Sequence, residues 1–143
     1  MQTIQDILLF LHFTGLILGS GGGLGSTIVM RYGYSLPEEQ AAIVRGAGPA
    51  MAGFALGGVI LMLISGVSLL VMKYDFAVEA MPWTFWVKLA FVATLTIASI
   101  VIHVAYGKVR KGDPSAAGQA SRFGPMAGLS AMAATLFAVL TFH

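Results

Sequence analysis

No cysteine occurs in the 143 residues of this chain. That excludes a disulfide scaffold, a thiol nucleophile, a thiolate metal site, an iron–sulfur cluster and haem attached covalently through Cys-x-x-Cys-His. Charge is nearly as scarce. Eight Lys and Arg and six Asp and Glu make up 10% of the residues, where a soluble domain carries about a quarter. A net charge of +2 on so few groups gives no basic patch, and no nucleic-acid partner is expected. None of the acids falls inside the long apolar runs, which leaves no intramembrane carboxylate for a proton relay. Nor is there a nucleotide-binding loop, a nucleophile–base pair or a convincing internal repeat.

What the chain has in quantity is apolar length: 57% hydrophobic residues and a mean hydropathy of +0.86. Its uncharged runs extend over Ile7 to Met30, Ala47 to Met72, Leu89 to Gly107 and Phe123 to Phe142. Each has the ~20 residues a helix needs to cross ~30 Å of hydrocarbon. Backbone amides have no water partners there, so the runs must be helical. The expected fold is all-α: an integral membrane four-helix bundle in one domain, 1–143, with helices near 5–30, 47–73, 82–107 and 123–142. Membrane lipids are its first partner. Met1 to Asp6 contains no Lys or Arg and the first apolar stretch continues to Met30, so the first run reads as a retained helix and not a signal peptide. Six basic residues flank or occupy the first and third connections, against two for the second and none in the tails. This places both termini outside, on the periplasmic side of a bacterial inner membrane, by the positive-inside tendency.

The connections have local signals of their own. Ser35-Leu36-Pro37-Glu38 has the capping-box form and predicts a short interfacial helix near 36–45. Pro82 opens the third helix, with Trp83 and Trp86 as an interfacial aromatic belt. Lys108 to Arg122, with Gly112, Asp113, Pro114 and Ser115, reads as an exposed loop. Glycine recurs every four residues at Gly15, Gly19 and Gly23, at Gly53 and Gly57, and at Gly124 and Gly128. That spacing permits close helix packing, or leaves a flat recess for a planar group.

Ionisable residues within the spans mark function by default; here they are His12, His103 and the borderline Lys88. The first and third helices run in the same direction, so depths compare directly. His12 lies ~10 Å in from Gln5, Lys88 ~9 Å in from Pro82 and His103 ~31 Å in, at 1.5 Å per residue. His12 and Lys88 are level. The ~21 Å between His12 and His103 cannot be spanned by one haem, whose two axial nitrogens stand only ~4 Å apart. Outer-level partners for His12 are Lys88, Met72, Met81 and His143; inner-level partners for His103 are Met51 and Met126. Histidine with methionine suits haem iron or copper(I).

The segment Leu8-Leu9-Phe10-Leu11-His12-Phe13-Thr14-Gly15, running into Gly21-Gly22-Gly23-Leu24-Gly25, resembles a superfamily of small bacterial membrane proteins, as does Phe85-Trp86-Val87-Lys88-Leu89-Ala90. The superfamily includes the membrane domain of copper-resistance D proteins, the oxygen-independent protoporphyrinogen oxidase of haem synthesis, and uncharacterised four-helix relatives. Gly21 to Thr27 stand where the oxidase has aromatic and basic residues, so the likeness is closest to the uncharacterised members. The resemblance implies that His12 and Lys88 form the site, with His12 as a haem b ligand and the lysine beside it.

Three readings follow. The first is a haem b-binding redox protein, with His12 as axial ligand, Lys88 facing a propionate and Gly15 and Gly19 against the porphyrin. The second is copper handling, with His12 or His103 as metal ligand alongside methionines. The third is a non-catalytic subunit that assembles with itself, as a homo-oligomer, or with a larger membrane complex through the Gly15/Gly19/Gly23 face.

Overall fold

The computed structural model describes residues 2–142. Four long helices follow one another: α1 (Gln2–Tyr34), α2 (Glu38–Tyr74), α3 (Trp83–Arg110) and α4 (Ala117–Phe142). All four are long and apolar enough to cross a membrane. They form two antiparallel hairpins. In the first, residue 5 meets 72, 12 meets 65, 15 meets 62, 19 meets 58 and 22 meets 55. In the second, Thr84 is hydrogen-bonded to Thr141 and Phe91 stacks on Phe137.

Burial is distributed as a lipid solvent requires. Ile17, Phe10, Phe54 and Leu129 are each about two-thirds exposed on the outside, whereas the interior is filled by small residues. A water-soluble monomer rarely tolerates contiguous apolar surface of this kind; hydrocarbon covers it without cost. The buried residues of α1 are Gly15, Gly19, Ser26 and Gly33. Larger core side chains come from α2 and α3, chiefly Val59, Met62, Leu95, Ile102 and Tyr106, and they pack on Ala120, Ala127 and Ala131 of α4.

The first and third connections are shorter than the charge pattern predicts. Residues 38–45, read as a helix of their own, run without interruption into α2, through Gly46, Gly48 and Pro49. Proline removes one helical N–H, a loss that membrane helices tolerate when neighbours satisfy the freed carbonyl. The capping box does not form. Pro37 holds the N-cap of α2 with no side-chain bond, and Ser35 instead donates both its N–H and its hydroxyl to the Tyr32 carbonyl, closing the end of α1. The expected 108–122 loop contracts to a turn at 111–113 and one turn of 3-10 helix (Pro114–Ala116), so α4 starts at Ala117, six residues before position 123. Arg122, taken for a loop residue, is exposed on the first turns of that helix. α2 ends at Asp75, whose φ of 46° continues into Phe76 at 60°. This left-handed pair turns the chain towards α3; aspartate is among the residues that adopt it readily, phenylalanine is not.

Candidate functional site

The α1–α2 seam places His12. A Cβ added to Gly15 would stand 2.7 Å from the Gly58 carbonyl oxygen, and one on Gly22 would be 2.9 Å from the Met51 carbonyl. A Cβ on Gly58 would strike the Gly19 amide nitrogen. The two backbones are therefore in direct contact, which only glycine allows at these positions. Gly15 and Gly19 thus serve to seat α2 and do not form an open recess for a flat ligand. The other glycines expected in such pairs are used differently. Gly53 and Gly57 have nothing within 4 Å of an added Cβ, while Gly124 and Gly128 receive Thr27 and Leu24 of α1.

With the backbones this close, the His12 ring lies against α2. Its Nδ1 is 2.9 Å from the Met62 carbonyl oxygen and 3.2 Å from Ser65 Oγ. A carbonyl can only accept, so Nδ1 carries the proton and donates to it. Ser65 is buried and sends its own hydroxyl hydrogen to the Leu61 carbonyl at 2.7 Å, so it too faces His12 as an acceptor. Gly66 completes the seat, since a Cβ there would come within 3.0 Å of the ring's Cε1. Fixing Nδ1–H in this way leaves the lone pair on Nε2, which has no hydrogen-bond partner among the described residues. A histidine that ligates a metal is oriented in the same way.

Lys88 of α3 stands within electrostatic reach of the His12 ring and is half-buried. One turn earlier, the buried Thr84 and Thr141 hydroxyls join α3 to α4 at 2.9 Å. His12, Ser65, Lys88 and Thr84 thus make one end of the bundle polar inside. Trp83 and Trp86 are exposed at the same end, as a belt requires.

His103 is not part of this arrangement; it is exposed on α3, towards the opposite end. The methionines named from depth do not gather either. The Met72 carbonyl meets Gln5 at 3.4 Å, two turns beyond His12; Met51 packs over Gly25 of α1; Met126 is exposed. His143 lies outside the described residues. Among the described residues no three of His, Asp and Glu converge on a point that would hold a metal ion. Sequence reasoning missed Ser65, Gly66 and the Met62 carbonyl. The Ser65-Gly66 pair was visible, but its relevance depends on the register between α1 and α2. Comparison with protein-family models, with curated proteins and with solved structures finds no match.

Proposed function

We propose that the protein is a haem b-binding integral membrane protein in which Nε2 of His12 would ligate the iron and the Lys88 ammonium would balance a propionate. The observation that carries this reading is the hydrogen bond from Nδ1 to the Met62 carbonyl, which commits one ring nitrogen and presents the other. A lysine ammonium is a suitable partner for a carboxylate in a medium of low polarity. The donor atoms fit haem. Among the described residues the α1–α2 seam is closed, and the cavity where the four helices meet, about 20 Å³, is far too small for the macrocycle, against several hundred for a typical ligand pocket. Haem would therefore have to reach Nε2 from outside that interior, and Gly15 and Gly19 support the site by holding α2 in register. Haem bound there supplies one-electron redox chemistry; the chain's own residues orient the ligand and balance its charge. The same reading includes a bacterial inner-membrane location with both termini on the outer side, for which the distribution of basic residues over the connections is the support.

The test is the absorption spectrum of the purified protein, as isolated and after addition of haem. A Soret band is expected for the wild type and for His103→Ala, and is expected to disappear in His12→Ala. Its absence from the wild type under both conditions, or its survival in His12→Ala, would refute the proposal.

A further inference from the structure

The cavity of about 20 Å³ lies where the two hairpins meet and is lined by residues from all four helices. Five of its lining residues, Ser20, Ser26, Thr27, Ser99 and Tyr106, carry hydroxyl groups, and their hydrogen bonds can be followed one by one. Ser20 donates to the Leu16 carbonyl at 2.6 Å, Thr27 to the Gly23 carbonyl at 3.0 Å and Ser26 to the Gly48 carbonyl at 3.1 Å. Ser26 has only one hydrogen, so the 3.2 Å contact between Ser26 Oγ and Tyr106 Oη must be donated by the tyrosine. These four hydroxyls have thus committed their protons and keep oxygen lone pairs. Ser99 differs. It is only 7% exposed, lines the same cavity and has no hydrogen-bond partner among the described residues. Its oxygen is not sealed in by protein atoms, so it opens on the cavity.

A Ser99 hydroxyl beside several acceptor oxygens defines the chemistry this cavity can receive. The occupant must accept a hydrogen bond from Ser99 and donate to hydroxyl oxygens, and it must be very small. We propose that this cavity is a binding site for a single water molecule, held by Ser99 on α3 and by hydroxyl oxygens among those that line it. A buried water needs roughly 10–15 Å³ of such space and two to four polar partners, and the site provides both. A cation of similar size is disfavoured, because no carboxylate lines the cavity to compensate its charge. The water adds a second link between the hairpins beside the direct Tyr106–Ser26 hydrogen bond. The inference does not depend on whether His12 binds haem.

X-ray hydroxyl-radical footprinting of the purified full chain in lipid nanodiscs tests it, since radicals formed at a bound water oxidise the side chain beside it. Tyr106 and Phe85 are aromatic residues of nearly equal burial, 6% and 4% exposed, but only Tyr106 borders the cavity. After correction for intrinsic ring reactivity, Tyr106 is expected to be oxidised several-fold faster than Phe85. Ser99→Val, whose methyl groups occupy the space, is expected to bring Tyr106 down to the Phe85 rate with helical content unchanged. Equal rates for the two rings in the wild type would overturn the proposal, as would a folded Ser99→Val protein in which Tyr106 stays fast. The wild-type comparison decides the matter even if that variant does not fold.

Discussion

The two hairpins are held together by different means. α1 and α2 meet backbone to backbone through Gly15, Gly22 and Gly58, and α1 buries nothing larger than serine. α3 and α4 meet through side chains, with Ala98, Ala105, Ala127 and Ala131 buried among Leu95 and Ile102, and with Phe91 stacked on Phe137 at 5.8 Å. The polar groups follow the same division. In the first hairpin Gln5, His12 and Ser26 each bond to a backbone carbonyl of the opposite helix. In the second, Thr94, Thr96 and Thr135 bond back to their own helix, and among the described residues only Thr84 and Thr141 cross over. Close backbone approach brings carbonyls within reach of side chains from the neighbouring helix. The hairpin with the smaller residues is therefore the one able to position a histidine.

The comparison breaks most severely at Gly58. Replacing it with Leu forces the α1 and α2 backbones apart, and a loss of about 3 kcal/mol or more is expected in detergent unfolding experiments. The adjacent Gly57 faces outwards with nothing near it. Gly57→Leu should leave stability unchanged or raise it by up to about 1 kcal/mol through helix propensity. Equal losses at the two positions would mean that the seam is not where the structure places it.

A smaller effect is expected where the hairpins are joined. Tyr106→Phe removes the hydroxyl that donates from α3 to Ser26 on α1 and should cost about 1 kcal/mol in the same experiment. No loss would indicate that this bond is not made.

The smallest effect concerns the turn between α3 and α4, outside the spans. The Ser115 hydroxyl donates to Asp113 at 2.5 Å, joined by the Ser115 N–H at 3.1 Å, and these bonds hold the Asp113 carboxyl below the ordinary aspartate range. Because the folded-state value is the lower one, the contribution is present above the unfolded value and is lost as pH falls through the folded value. Titration followed by carbon NMR should show Asp113 moving upwards in Ser115→Ala. The first hairpin's turn is closed differently, by Ser35 on the Tyr32 carbonyl.

How much of this was legible beforehand differs between the halves of the argument. Span number followed from the placement of charge, because hydrocarbon admits no other backbone geometry. The common level of His12 and Lys88 followed from counting 1.5 Å per residue along two parallel helices. The rest depended on rotation about helix axes, which a run hydrophobic on every side does not encode. Gly57 and Gly58 are neighbours in sequence and face about 100° apart, at 3.6 residues per turn. The four-residue spacing favoured Gly53 and Gly57, whereas the seam uses Gly58 with Ala55 and Met62. Helix ends were misjudged for a related reason. Arg122 marks the limit of an apolar run, but a helix that projects beyond the hydrocarbon takes such a residue into its first turns.

The central claim is that the first hairpin holds His12 with Nδ1 protonated and Nε2 presented as a ligand. Nitrogen-15 NMR of histidine-labelled protein in nanodiscs, prepared without haem and assigned with His12→Ala, reads the tautomer directly. The account predicts a neutral His12 ring at pH 8 with its proton on Nδ1. A proton found on Nε2 instead would contradict it, because the nitrogen facing Met62 would then have no hydrogen to donate.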